Sequence, residues 1–344
     1  MNEKFEYRNV VVMKRYLIFC LIIVVLVGIL VSFREDPLNK VELGRMLFFD
    51  PILSRNKTIS CASCHLPEFA FSDTNATSLG IDGRKGNRNT PSAMNISLHN
   101  SFFWDGRANS LEEQALEPIA NPSEMDLPVK EAVLRLQTDR TYNNYFEIVF
   151  NSKPTATNLG EAIAAYERSL ETSNSPFDNW KFSEDDQAVS EAVKRGFALF
   201  NGKGKCIKCH FGSDLTQNEF RNIGLFNGME LNDSGRVKIS GKMEDIGKFK
   251  TPGLRNIAMT APYMHNGIFK SLKEVIDFYD DPEKVIPNSI NRDSALAKPL
   301  GLTEKEKADI EAFMISLTDK RFVMEKGMQS YRLQGFPYNS RRLY

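Results

Sequence analysis

Four of the five cysteines and two of the four histidines in this 344-residue chain fall into two pentads, Cys61-Ala62-Ser63-Cys64-His65 and Cys206-Ile207-Lys208-Cys209-His210. Each reads C-x-x-C-H, the attachment signature of a c-type haem. Two thiols one helical turn apart reach the two vinyl groups of a porphyrin as thioethers, and the adjacent imidazole is then held under the iron. A disulfide, a zinc site and a thioredoxin-like redox pair are the competing chemistries. Cysteine pairs 145 residues apart could in principle share a zinc ion, but the His after each second Cys has no part in that arrangement. The expectation is two covalently bound haem c groups, with His65 and His210 as iron ligands.

His99 and His265 are the remaining histidines, and the twelve methionines prevent a sixth ligand from being settled by counting. Nothing around Ser97-Leu98-His99-Asn100 suggests a pocket, so His99 is expected to be structural. His265 lies in Ala261-Pro262-Tyr263-Met264-His265-Asn266-Gly267, a loop that leads into a helix capped by Ser271 with Glu274. The apolar face of that helix is Leu272, Val275, Ile276 and Tyr279, and spacing alone reads Tyr279 as a core tyrosine.

The elements that must position these residues repeat. Leu43-Gly44-Arg45-Met46-Leu47-Phe48 precedes the first pentad and Arg195-Gly196-Phe197-Ala198-Leu199-Phe200 the second, with Gly and Leu-Phe at the same offsets. Thr303 with Glu306 makes a capping box, followed by Ile310, Phe313, Met314 and Leu317 at i, i+3, i+4, i+7. That helix is expected to close the second haem domain against the helix of residues 187–200. Val129 to Gln137 and Leu159 to Leu170 have helical periodicity, while Pro118, Pro122, Pro128 and Pro154 break up the rest. Asn174 to Asn179 reads as the linker. Strand signals are sparse, so the predicted class is mainly α, with two tandem cytochrome c-like haem domains at 38–178 and 187–320 and a tail at 321–344.

Lys plus Arg and Asp plus Glu each number 44, and no block of like charge stands out, which argues against a nucleic-acid binder. With 42% hydrophobic and 26% charged residues, disorder is excluded as well. Tyr16 to Phe33 is an almost unbroken apolar run without a charge, just long enough to span a bilayer. Lys4, Arg8, Lys14 and Arg15 precede it, which keeps the N-terminus in the cytoplasm and exports the chain beyond Phe33. Residues 1–34 therefore read as a cytoplasmic tail and membrane anchor, preferred over a cleaved signal peptide because the run is not succeeded by a small-x-small cleavage pattern. Cys20 is an apolar filler within that run. Residues 1–34 hold five basic and two acidic side chains, so the exported remainder is mildly acidic.

The sequence resembles the bacterial dihaem cytochrome c peroxidase and MauG family from about Val41 to Thr318. Leu43-Gly44 through Leu47-Phe48-Phe49-Asp50-Pro51, Gly86-Asn87-Arg88-Asn89-Thr90-Pro91, Phe103-Trp104-Asp105-Gly106-Arg107-Ala108, Pro118-Ile119 with Glu124-Met125, Lys250-Thr251-Pro252-Gly253-Leu254-Arg255-Asn256 and Tyr263-Met264-His265-Asn266-Gly267 carry the match, with both pentads in order. The resemblance implies that the N-terminal haem reacts with peroxide and that the C-terminal haem passes or stores electrons. It assigns Trp104 to the position between the haems, Glu124 to the open face of the peroxidatic iron, and Gln114 and Pro118 to the lining of that pocket. Asn89, Thr260 and Pro262 match the residues that hold a calcium ion between the domains, a donor set suited to a hard cation. His265 matches a loop histidine near the second haem that is not an axial ligand.

Two departures from the commoner peroxidases bear on the chemistry. Ile81 stands where those that need prior reduction carry a removable distal histidine, so the first iron is expected to be open from the start. Tyr279 stands fourteen residues after His265, where they carry a methionine ligand to the second iron. A thioether favours ferrous iron and raises the potential, whereas a phenolate favours ferric and higher states and lowers it. The expected activity is reduction of hydrogen peroxide to water on the periplasmic side of the inner membrane. Electrons would come from a small cytochrome c or cupredoxin, with Glu124 as base and then acid and Trp104 as electron relay. The alternatives are a MauG-like enzyme that oxidises residues of a partner protein, and a non-enzymatic electron carrier.

Overall fold

The computed structural model describes residues 38–322. The predicted anchor Tyr16–Phe33, with Cys20, and the tail beyond Phe322 lie outside the described residues. Among the described residues no helix is long and apolar enough to cross a membrane.

The N-terminal half is built from α1 (Lys40–Phe49), α2 (Leu111–Ala120), α3 (Val129–Thr138), α4 (Arg140–Phe150) and α5 (Ala156–Arg168). The C-terminal half has α6 (Pro176–Phe182), α7 (Glu191–Asn201), α8 (Leu272–Asp280) and α9 (Glu304–Ser316). A ladder of two residues per strand, Phe220–Arg221 against Phe249–Lys250, is the whole sheet among the described residues. The mainly helical class is as predicted. Residues 40–322 belong to one compact unit.

The repeat in the sequence marks two equivalent helix crossings. α1 packs on α5 and α7 on α9. At the first crossing, a Cβ on Gly44 would lie 1.8 Å from the Ala162 carbonyl oxygen; at the second, a Cβ on Gly196 would lie 1.9 Å from that of Asp309. Only glycine lets backbones approach this closely in the middle of a helix. Phe48 then meets Tyr166 edge-on, with centroids 5.2 Å apart, and Phe200 meets Phe313 at 5.0 Å.

The repeat continues between the crossings at a constant spacing of 161 residues. Asn95 and Asn256 share a left-handed φ, 56° and 61°, as do Phe103 and Met264, 64° and 75°. The bridge between Phe102 and Ala108 recurs between Tyr263 and Phe269. Ser110 caps α2 by accepting from Glu113 N–H, and Ser271 caps α8 by accepting from Glu274 N–H.

Two local expectations are corrected. Asn174–Asn179 is not a linker: Ser175 caps α6 in a capping box with Asp178, Pro176 takes the first helical turn, and Phe177 is buried against Phe313. Proline costs nothing at that position because the N–H it lacks has no helical partner there. Pro118 does not break the chain either but sits in the last turn of α2.

Candidate functional site

A single cavity of about 900 Å³ runs through both halves and is lined by both pentads. The residues expected from the sequence to hold a cofactor or act on substrate line it: Cys61, Cys64, His65, Asn89, Trp104, Gln114, Glu124, Cys206, Cys209, His210, Thr260, Pro262 and Tyr279.

Each pentad begins as a single 3-10 turn, Cys61–Ser63 or Cys206–Lys208, and the histidine N–H then donates to the first cysteine's carbonyl at 2.9 Å. The Nδ1 of His65 meets the Phe71 carbonyl oxygen at 2.9 Å, and the Nδ1 of His210 meets that of Leu215 at 3.0 Å. A backbone acceptor at Nδ1 puts the proton there and leaves Nε2 as the ligating nitrogen. Burial pushes the His65 imidazole below its ordinary range and that of His210 down to about 4, so both are neutral, as iron ligation requires. The four cysteines are free thiols, and burial raises all of them, Cys64 and Cys206 to about 12. Zinc ligands and redox pairs need accessible thiolate instead. No cluster of three or more His, Cys, Asp or Glu fit for a metal ion occurs among the described residues. The four thiols, two oriented imidazoles and large cavity fit two covalently held haems.

The two halves differ in what the equivalent helix presents to the cavity. In the C-terminal half, α8 carries Tyr279 into the cavity near Cys206 and Cys209. Burial raises its phenol well above the ordinary range, with the neighbouring thiols adding to the shift, so an adjacent cation is needed to make it a phenolate. In the N-terminal half, the residue 161 positions earlier, at the equivalent place on α2, is Pro118, whose ring has no donor atom for iron. Ile81 is fully buried in the core and does not line the cavity.

Glu124 lies just beyond α2, and its Oε1 accepts from Asn121 Nδ2 at 2.8 Å. Burial raises its carboxyl, partly opposed by Arg107 and by the Asn121 hydrogen bond. Its carbonyl accepts from Ile81 N–H at 2.8 Å, which ties the 80–84 loop beneath it. A Cβ on Gly80 would lie 2.0 Å from the Ser123 carbonyl oxygen, so that loop closes only with glycine there.

Trp104 and His265, equivalent in the repeat, face each other where the halves meet, with ring centroids 6.5 Å apart. Trp104 Nε1 donates to the Asn89 carbonyl at 2.8 Å. Two reciprocal backbone bonds join the loops: Asn89 N–H to the His265 carbonyl and Lys250 N–H to the Trp104 carbonyl, both 2.7 Å. The His265 ring stacks on Phe249 at 3.6 Å, and burial lowers it to about 4. Arg88 bridges the halves by donating to Asp105 at 2.6 Å and Asp233 at 2.7 Å. The Asn89 amide nitrogen donates to the Asn75 carbonyl at 3.2 Å.

His99 does line the cavity, contrary to expectation, yet both ring nitrogens are engaged, by Asp214 at 3.1 Å and Lys250 Nζ at 2.9 Å. Its structural role stands. Asp214, Lys250 and Glu167, on α5, are lining residues that sequence reasoning missed. A charged residue beside Tyr166, on a helix whose Ala162, Ile163 and Tyr166 are buried, was the available signal for Glu167.

Residues 38–187 match the family model described as di-haem cytochrome c peroxidase. The methylamine utilization protein MauG of Methylorubrum extorquens is 39% identical over 290 residues, covering 83% of this chain and 80% of that protein. Cytochrome c551 peroxidase of Nitrosomonas europaea is 38% identical over 239 residues, covering 69% and 71%. The crystal structure of a MauG-like protein associated with microbial copper homeostasis superposes with a TM-score of 0.76 at 34% identity, covering 83% of this chain and 91% of that one.

Proposed function

The chain belongs to the dihaem cytochrome c peroxidase and MauG family of oxidoreductases, and from that premise we propose that it reduces hydrogen peroxide to water at its N-terminal haem, with electrons from a small cytochrome c or cupredoxin. The family implies two haem c groups, which supply the redox chemistry for a reaction that consumes two electrons and two protons. The observation that carries the reading is Pro118 standing where Tyr279 stands in the other half, so that the position offering a phenol to one half of the cavity offers no donor atom to the other.

Glu124 takes a proton from the bound peroxide's near oxygen and returns it to the far oxygen, so that the departing group leaves as water. A carboxyl raised by burial is suited to both halves of that transfer. Gln114 adds a polar group to the lining of the same cavity. The indole of Trp104, fixed by the Asn89 carbonyl in the wall shared by both halves, supports a role in passing electrons between them. His65 would hold the first iron, and His210 with Tyr279 the second. Asn89, Thr260 and Pro262 line the same cavity and would hold a calcium ion, with the Asn89 amide oxygen as side-chain donor. The apolar run Tyr16–Phe33 directs export to the periplasmic side and anchors the protein there.

Tyr279 favours a second reading, oxidation of residues in a partner protein, because a phenolate ligand lowers the potential of its iron and makes it a poor entry port for electrons. Steady-state peroxide turnover with a reduced small cytochrome or cupredoxin tests the first reading. Peroxide that oxidises a partner protein without such turnover establishes the second. A haem spectrum unmoved by peroxide overturns both and leaves an electron carrier. Low-temperature EPR of the ferric protein is expected to show one high-spin and one low-spin haem, with Tyr279→Phe altering the low-spin signal alone.

A further inference from the structure

Glu167 has no part in the chemistry above, yet it is 8% exposed and lines the cavity beside the first pentad. Its Oε2 is buried and meets no hydrogen-bond partner among the described residues. The nearest cation does not satisfy it, because Arg168 points its guanidinium at Glu112 on α2, in two bonds of 2.6 and 2.9 Å. The fold does not require an acid here. In the equivalent crossing, α9 places Met314 one residue after Phe313, as α5 places Glu167 one residue after Tyr166, and Met314 lines the same cavity. At this position one half of the cavity thus carries a carboxyl where the other carries a thioether.

We propose that Glu167 is a redox-linked acid of the N-terminal haem cavity: its carboxylate binds one proton from solvent when the iron held by His65 gains one electron, and releases it when that electron is removed. One electron enters from a chemical reductant, one O–H bond forms at the carboxylate, and the net charge of the cavity does not change. A change of net charge at a buried site is costly because the surroundings screen it poorly, and an orphaned carboxyl on the wall is the group able to offset it. Burial already pushes Glu167 up to about 8, with Arg168 opposing and Glu112 adding to the shift, so the group is poised to exchange a proton near neutral pH. The charged and titratable groups facing it are those two and its helix neighbour Tyr166; Cys61 also lies near, and its sulfur is an uncharged thioether once the haem is attached.

The inference rests on the N-terminal half holding its haem, and its test uses no peroxide, so its failure leaves the peroxidase reading standing. Spectroelectrochemical titration of the holoprotein at a series of pH values gives the potential of the N-terminal haem. The expected result is a tenfold change in the redox equilibrium constant per pH unit around neutrality, about 59 mV for one electron. Glu167→Gln and Glu167→Met are expected to flatten the dependence, whereas Glu124→Gln leaves it in place. A wild-type potential independent of pH, a slope that survives in Glu167→Gln, or a slope abolished by Glu124→Gln overturns the proposal. Haem content and thermal melting monitor the variants. If neither Glu167 variant retains haem, proton uptake by the wild type on anaerobic reduction, read with a pH indicator, decides. About one proton per electron at the first haem supports the proposal, and none overturns it.

Discussion

In the N-terminal half α2 delivers Pro118 to the point where α8 delivers Tyr279 in the C-terminal half, α5 delivers Glu167 where α9 delivers Met314, and the loop before α2 delivers Trp104 where its counterpart delivers His265. The scaffolding around these positions is the same to within a few tenths of an ångström at the glycine crossings and at the two histidine Nδ1 contacts. The difference teaches where function resides. A repeated frame orients each imidazole in the same way, and single substitutions at equivalent points decide which side chains line the cavity beside it.

The largest test of that division is removal of one thiol pair at a time. Cys61→Ser with Cys64→Ser is expected to reduce peroxide turnover to background and the haem count, by pyridine haemochrome, from two to one. Cys206→Ser with Cys209→Ser loses one haem as well, yet peroxide should still perturb the spectrum of the haem that remains. A remaining haem that ignores peroxide in the second variant would break the assignment of the halves. Next in size, Glu124→Gln is expected to slow the reaction with peroxide by about a hundred- to ten-thousand-fold, with haem content unchanged, in stopped-flow measurements.

Acid sensitivity sharpens the contrast between Trp104 and His265. The buried His265 is lowered to about 4, so below pH 6.5 the unfolded chain takes up a proton that the folded one refuses. Stability is therefore full above pH 6.5 and falls as pH drops towards 4, by about 3 kcal/mol from this group. Denaturant midpoints across that range should show the loss, and His265→Phe should lack it. The smallest effect is at the crossings: Gly44→Ala and Gly196→Ala are each expected to cost about 2 kcal/mol of stability, from overpacking offset by helix propensity. Unequal midpoints for the two would show that the halves are less alike mechanically than geometrically.

Much of the fold and site is legible in the sequence because it rests on local rules. The paired Gly and Leu-Phe and the caps at Ser271 and Thr303 each write a short-range requirement into adjacent residues, and each is found as read. The α6 segment reads as a linker only while proline is weighted as a breaker; Ser175, Pro176 and Asp178 spell a helix start once its tolerance at the first turn is counted. Glu167, Asp214 and Lys250 escape sequence reasoning for a different reason. Their significance comes from burial against residues more than thirty positions away, as when Lys250 reaches His99 and the Ser101 carbonyl, and no single-chain periodicity reports that.

The reciprocal pair of backbone bonds, Asn89 to His265 and Lys250 to Trp104, has the form of an isologous contact, in which residue i of one body meets j of the other and j meets i. A homodimer joined this way must place identical side chains on both sides of its axis, and would carry two open irons or two capped ones. Covalent fusion of the two bodies in one chain lifts that constraint. The paired positions at 118 and 279, and at 104 and 265, are then free to differ, so that two unlike sites can stand across a single interface.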